Sequence, residues 1–193
     1  MPAVAIDVAV LLTADARAVA ERANAYFDVS AAAGFRFNDT HHPHVTLGQH
    51  FVPSDQLIEV RTAVGTVVSA RPPLELRVTG VRRGRTAQVL VVAPTPALRQ
   101  LHEQLMDTLA PYEVPGSAAA FQQDDASPLD ANVAWVARFR ADSSYARFDP
   151  HITVGIGSNP ISIDPFSFSA RQIAICRLGR FCTCRDQLAH WTL

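Results

Sequence analysis

Apolar and polar positions come in blocks of different period along this chain, and each period implies an element. Ala3 to Leu12 is an apolar run with several valines and one charge, Asp7, followed by Thr13 as a helix cap; it predicts a central strand. Ala14 to Ala33 is alanine-rich with spaced charges and predicts a helix that Gly34 stops. His44 to Val52 returns to strand character, and Pro43 favours extended chain ahead of it. Ser54 caps a second helix running to about Ala70, beyond which Pro72 and Pro73 forbid continuation. Leu74 to Val81 and Thr86 to Ala93 predict a hairpin around Arg82, Arg83, Gly84 and Arg85. Thr95-Pro96 opens a third helix that ends near Pro111, with Leu98, Leu101, Leu105 and Leu109 as its buried stripe.

Tyr112 to Asp130 holds no period and several breakers, including Pro115, Gly116, Asp124, Asp125 and Pro128, and is expected to be a mobile loop. Asn132 to Phe139 fits strand alternation and also a short helix capped by Asp130; we take the helix. His151 to Ile156 predicts a strand, and Phe166 to Leu193 a closing hairpin with its turn near Leu178 to Arg180. This order favours an α+β architecture with helices outside mainly antiparallel sheet. No linker divides it, so residues 1–193 are expected to form a single two-lobed domain.

Composition narrows the function. Apolar residues make up 48% of the 193 and charged residues 18%, which suits a folded globule rather than a disordered chain. A formal net charge of -1 argues against a protein that coats long duplex nucleic acid, while a nucleotide or a strand end still fits. All 17 basic residues are Arg, which we read mainly as coding bias. Met1 to Leu12 lacks a basic leader and is too short to span a bilayer, so it reads as a strand, and no association with membrane is expected. Three cysteines, Cys176, Cys182 and Cys184, are expected as reduced strand residues, which suits a cytoplasmic monomer.

The chemistry lies in an internal repeat. Pro43-His44-Val45-Thr46-Leu47-Gly48 recurs as Pro150-His151-Ile152-Thr153-Val154-Gly155. Strand residues two apart share a face, so His44 pairs with Thr46 and His151 with Thr153, while Val45, Leu47, Ile152 and Val154 pack behind. Burying such polar groups without partners costs about 1–3 kcal/mol each, so both pairs should line a solvated cleft between two pseudo-twofold lobes. Near neutral pH one imidazole can be neutral and the other protonated, which suits acid–base work on a phosphodiester. Thr46 and Thr153 would donate hydrogen bonds to the non-bridging oxygens.

These residues resemble the two-histidine (2H) phosphoesterase superfamily, which includes RNA 2′-5′ ligase-like proteins and 2′,3′-cyclic phosphodiesterases. Its motif, His-x-Thr/Ser-x with an apolar last position, stands here as His44-Val45-Thr46-Leu47 and His151-Ile152-Thr153-Val154. The resemblance implies a bilobal α+β fold and ATP- and metal-independent cleavage or joining of phosphodiesters at ribose, with no cofactor. The partner it implies is a nucleotide or RNA end bearing a cyclic phosphate. RNA ligase-like members often carry a basic residue after the second motif, where this chain continues Gly155-Ile156-Gly157.

Tyr145 and Arg147, just before the second motif, and Arg83 at the hairpin tip are candidates for substrate contact. His41, His42, His44 and His50 would supply a metal-dependent alternative, but Pro43 interrupts the strand and no second ligand set at zinc spacing follows, so no metal is assigned. A protein of the same fold that grips a nucleotide or RNA end without turnover is the other alternative. Which histidine is the base stays open at this level, because the motifs are nearly equivalent.

Overall fold

The computed structural model of the chain describes residues 2–27, 29, 34–84, 86–123 and 127–193. Eight strands and four α-helices are present among them: β1 (Ala3–Leu11), α1 (Ala14–Asn24), β2 (His44–Pro53), α2 (Leu57–Val68), β3 (Leu74–Arg83), β4 (Ala87–Val92), α3 (Pro96–Leu109), α4 (Asp130–Ser143), β5 (His151–Ile156), β6 (Phe166–Ala170), β7 (Gln172–Leu178) and β8 (Cys184–Thr192). They form two antiparallel four-stranded sheets, ordered β2-β1-β7-β8 and β5-β4-β3-β6, the α+β class expected. Both motif strands, β2 and β5, are edge strands, and they lie against each other.

The pleat divides β1 cleanly. Val4, Ile6, Val8 and Val10 enter one apolar cluster with α1, α2, α3 and residues of both sheets, while Asp7, Ala9 and Leu11 face the other way. Val45, Leu47, Ile152 and Val154 all lie in that cluster at 0% exposure, as the alternation requires. The two halves are related: β1-α1-β2 and β4-α3-α4-β5 each pair their outer strands antiparallel across a helical connection, the second carrying α4 in addition. Each helix packs against the other half's motif strand, α1 on β5 and α3 on β2. No helix among the described residues is long and apolar enough to cross a membrane.

Several local expectations change. Helix α1 ends at Asn24 and does not run to Ala33, because the Asn24 amide is buried and used: Nδ2 donates to Phe35 O at 3.0 Å and Oδ1 accepts from Phe37 N at 3.1 Å, which turns the chain. Residues 28 and 30–33 of the expected helix lie outside the described residues. Helix α4 is capped at Leu129, not Asp130, with Asn132 Oδ1 accepting from Leu129 N. In the expected mobile loop Phe121 is fully buried and packs edge-on against Phe51, so this part is anchored. Asp124 and Asp125 lie outside the described residues. The C-terminal region is three strands: β6 joins β3 in the second sheet, and only β7 and β8 form the closing hairpin. Cys182 sits in the short turn Arg180–Cys182 instead of on a strand with Cys184.

Candidate active site

The repeat extends from sequence into backbone. On β2 the ladder passes from Val8↔Gly48 to Ala9↔Thr46, skipping Leu47; on β5 it passes from Gln88↔Gly155 to Val89↔Thr153, skipping Val154. Each motif therefore carries a β-bulge at the same residue, the kind of kink that re-aims a side chain. The glycine after each bulge makes room for a close neighbour. A Cβ on Gly155 would meet the Phe27 ring at 2.2 Å, and one on Gly48 would meet His50 Nε2 at 2.9 Å and Met106 Sδ at 3.1 Å.

Each bulged carbonyl is bound by a buried side chain. His102 Nδ1 on α3 donates to Leu47 O at 2.6 Å, and Asn24 Nδ2 at the end of α1 donates to Val154 O at 2.8 Å. His102 also accepts from Tyr145 N at its Nε2, 2.9 Å away, and stacks on Phe148 with centroids 3.9 Å apart. Those two bonds fix His102 as the neutral tautomer, and burial pushes its proton affinity down.

The two motif imidazoles are held alike. His44 Nδ1 donates to His42 O at 2.8 Å and His151 Nδ1 to Asp149 O at 2.7 Å, which leaves Nε2 as the ring nitrogen of each not held by that carbonyl. Their surroundings then diverge. His44 Nε2 lies 3.4 Å from Oδ2 of Asp7, a carboxylate with 0% exposure. That same oxygen accepts from Thr46 Oγ1 at 2.7 Å and from Gln49 Nε2 at 2.8 Å, while Trp135 Nε1 on α4 holds Gln49 Oε1 at 3.0 Å. Counting from each bulge, the position of Asp7 on β1 is taken on β4 by Ala87.

Burial opposes charge on both rings. At His44 it is outweighed by the hydrogen bond and charge of Asp7, so proton affinity is raised. At His151 burial prevails over the nearby Asp149, helped by the positive charges of Arg82 and His44, so proton affinity is lowered.

The threonines differ in consequence. Both were expected to face phosphate, but the Thr46 hydroxyl proton is committed to Asp7, whereas Thr153 has no side-chain bond among the described residues. Of the other candidates, the Tyr145 hydroxyl donates to Asp107 and accepts from Arg140, and Arg147 binds Ala141 O. Of the hairpin arginines, Arg82 stands in the cross-strand row Arg82–Val89–Thr153 and so shares the face of the second motif, ion-paired with Asp149. Arg83 is opposite Gln88 on the other parity and is exposed, and Arg85 lies outside the described residues.

His41, His42, His44 and His50 do not converge as ligands: His50 Nδ1 pairs with Glu113 at 2.7 Å and His42 faces Gln187. The donor set that does converge among the described residues is Asp7, His44 and Cys184. A cavity of about 140 Å³ adjoins the first motif, lined by Leu11, Leu12, Arg17, His42, Pro43, Gln172 and Gln187. Asp7, Gln49, His102 and Asn24 were not singled out from the sequence as site residues. A charge inside an apolar strand was the only signal any of them offered.

Two sheets with matched, bulged His-x-Thr edge strands define the two-histidine phosphoesterase class. The chain belongs to the 2′-5′ RNA ligase superfamily, whose family model matches residues 13–167. Among solved structures it is similar to TT0787 of Thermus thermophilus, at 16% identity and a TM-score of 0.61 over 98% of this chain and 97% of that one. It is also similar to E. coli LigT complexed with NADP+, at 18% identity and a TM-score of 0.61 over 99% and 98% of the two chains. LigT complexed with 3′-AMP gives 16% identity and a TM-score of 0.61, again over 99% and 98%. At these identities the likeness is one of fold. No curated protein matches the chain.

Proposed function

We propose that the protein is a metal-independent phosphoesterase acting on a 2′,3′-cyclic phosphate or a 2′-5′ phosphodiester of a nucleotide or RNA end, with His151 as general base and His44 as general acid. The observation that carries the assignment is the placement of Asp7 against His44, with alanine at the equivalent place in the second motif. His151 Nε2 takes a proton from water as the oxygen attacks phosphorus, and His44 Nε2 gives its proton to the departing ribose oxygen, so protons balance over the turnover. Asp7 stabilises the imidazolium of His44 before transfer, Thr46 and Gln49 hold Asp7 in place, and Thr153 donates to a non-bridging oxygen. Arg82 lies where it can offset charge on the phosphate. The 140 Å³ cavity beside Pro43 accepts part of the nucleoside. The ligands found with LigT, which are 3′-AMP, ATP, NADP+ and phosphate, support this substrate class. We further propose a monomeric cytoplasmic protein, on the composition and the free cysteines.

The test is hydrolysis of a 2′,3′-cyclic nucleotide in EDTA, read by phosphorus NMR. A 2′- or 3′-monophosphate formed by the wild type and not by the double variant His44→Ala, His151→Ala supports the proposal. Absence of turnover on cyclic nucleotides and on cyclic-phosphate RNA ends alike, with retained binding, would make the chain a nucleotide-binding member of the fold.

A further inference from the structure

The ring of His44 is oriented by its own backbone. With Nδ1–H given to His42 O, the neutral ring points the Nε2 lone pair at the Asp7 carboxylate, 3.4 Å away. Two electron-rich atoms facing each other in a buried place need a positive charge between them. A proton is one such charge, and it is the one the acid step uses. A metal cation is the other.

The surroundings of this gap match a particular kind of cation. Ligands of tetrahedral zinc at about 2.0–2.1 Å from the metal stand about 3.3–3.4 Å from each other, close to the separation of Nε2 and Oδ2. Cys184 completes a third corner: donor atoms of Asp7, His44 and Cys184 all lie within 4.8 Å of one another. Asp7 Oδ1 is buried with no hydrogen-bond partner, so this carboxylate keeps an unused acceptor. Cys184 is itself fully buried, at the start of β8 shortly after the turn that ends at Cys182, and the segment bearing the first motif is bridged to it through His42 N and Cys184 O at 3.0 Å. One imidazole, one carboxylate and one thiolate make a mixed nitrogen, oxygen and sulfur set that favours zinc-like cations over magnesium or calcium.

We propose that Asp7, His44 and Cys184 form an inhibitory site for a zinc-like divalent cation, which occupies the Nε2 lone pair that must otherwise carry the catalytic proton. On binding, the Cys184 thiol releases its proton to solvent, three protein donors hold the ion, and the fourth position takes a water. The catalytic consequence rests on the acid role assigned to His44, whereas the binding site itself does not.

Binding and turnover are therefore read separately. Titration of the apo protein with Co²⁺, without substrate, is expected to give one ion per chain and a thiolate-to-cobalt charge-transfer band, lost in Cys184→Ala and kept in Cys176→Ala. In the hydrolysis assay, run after EDTA has been removed, added Zn²⁺ is expected to inhibit the wild type reversibly. Inhibition of Cys184→Ala should need at least about tenfold more Zn²⁺, with metal-free turnover unchanged. Circular dichroism confirms that the variants fold. The absence of a charge-transfer band in wild type, or its persistence in Cys184→Ala, overturns the site. Equal Zn²⁺ sensitivity of wild type and Cys184→Ala overturns its inhibitory role. If no substrate is turned over, the cobalt titration still decides the site, while the proposed function fails on its own assay.

Discussion

The two motif strands share proline, histidine, threonine and glycine, their bulge, and a backbone carbonyl that orients the imidazole, yet among the described residues only the first imidazole is paired with a buried carboxylate. Symmetry builds a pair of rings with the same atom presented. At equivalent places the first half carries Asp7 and the second Ala87. Proton affinity is raised at His44 and lowered by burial, Arg82 and His44 at His151. In the proposed mechanism the first ring is the proton holder and the second the proton acceptor. On the proposed function, a duplicated fold reaches unequal chemistry by changing what stands beside a catalytic residue instead of the residue itself.

The largest effects should come from removing the shared atoms. His44→Ala and His151→Ala are each expected to lower kcat by roughly a hundredfold to ten-thousandfold with little change in nucleotide affinity, measured by steady-state kinetics and calorimetry. Robust turnover in either variant refutes the paired scheme. Next comes the asymmetry: Asp7→Asn is expected to lower kcat about tenfold on the alkaline side, because without the Asp7 charge His44 loses its proton at a lower pH.

The helix clamps on the bulges allow a sharper comparison of the halves. Asn24→Ala orphans Phe35 O, Val154 O and Phe37 N, whereas His102→Ala orphans Leu47 O and Tyr145 N. At about 1–3 kcal/mol per buried group left unpaired, both variants should be markedly less stable in urea unfolding, Asn24→Ala the more so. Equal losses would show that the stacking of His102 on Phe148 matters as much as the extra bond.

The smallest expected effect is away from the site. The Glu113 carboxyl is half-buried, which alone would raise its pKa, but hydrogen bonds from His50 and Arg140 hold it down at about 2. Its contribution to stability is therefore present above its ordinary 4.5 and lost as the pH falls toward 2. Glu113→Gln should flatten the acid limb of a stability profile and leave kcat near wild type.

How much of this was legible in sequence follows from the physics of each residue. The motif strands were readable because proline, histidine, threonine and glycine recur at fixed offsets and strand period sets their faces. The antiparallel sheets and outer helices followed from the order of periods. Asp7 was visible only as a charge in an apolar strand, since its partners are 37 and more residues away and come together only through the β1–β2 register. His102 hid within the leucine stripe of α3, and Asn24 within an alanine-rich run whose apparent stop, Gly34, lies ten residues past the true end of the helix. Arg83 and Arg82 could not be ranked without the register that puts only Arg82 opposite Val89 and Thr153.

The unequal pair is tested most directly by the pH dependence of kcat/KM, which reports the free enzyme's acid and base, in wild type and Asp7→Asn. In the wild type the rate should fall on the acid side at a pH below 6.5, as His151 takes up a proton, and on the alkaline side above 6.5, as His44 loses one. Asp7→Asn should bring the alkaline limb down while leaving the acid limb almost in place. If the substitution instead moves the acid limb, or leaves both limbs where they were, His44 is not the acid and Asp7 does not set the roles.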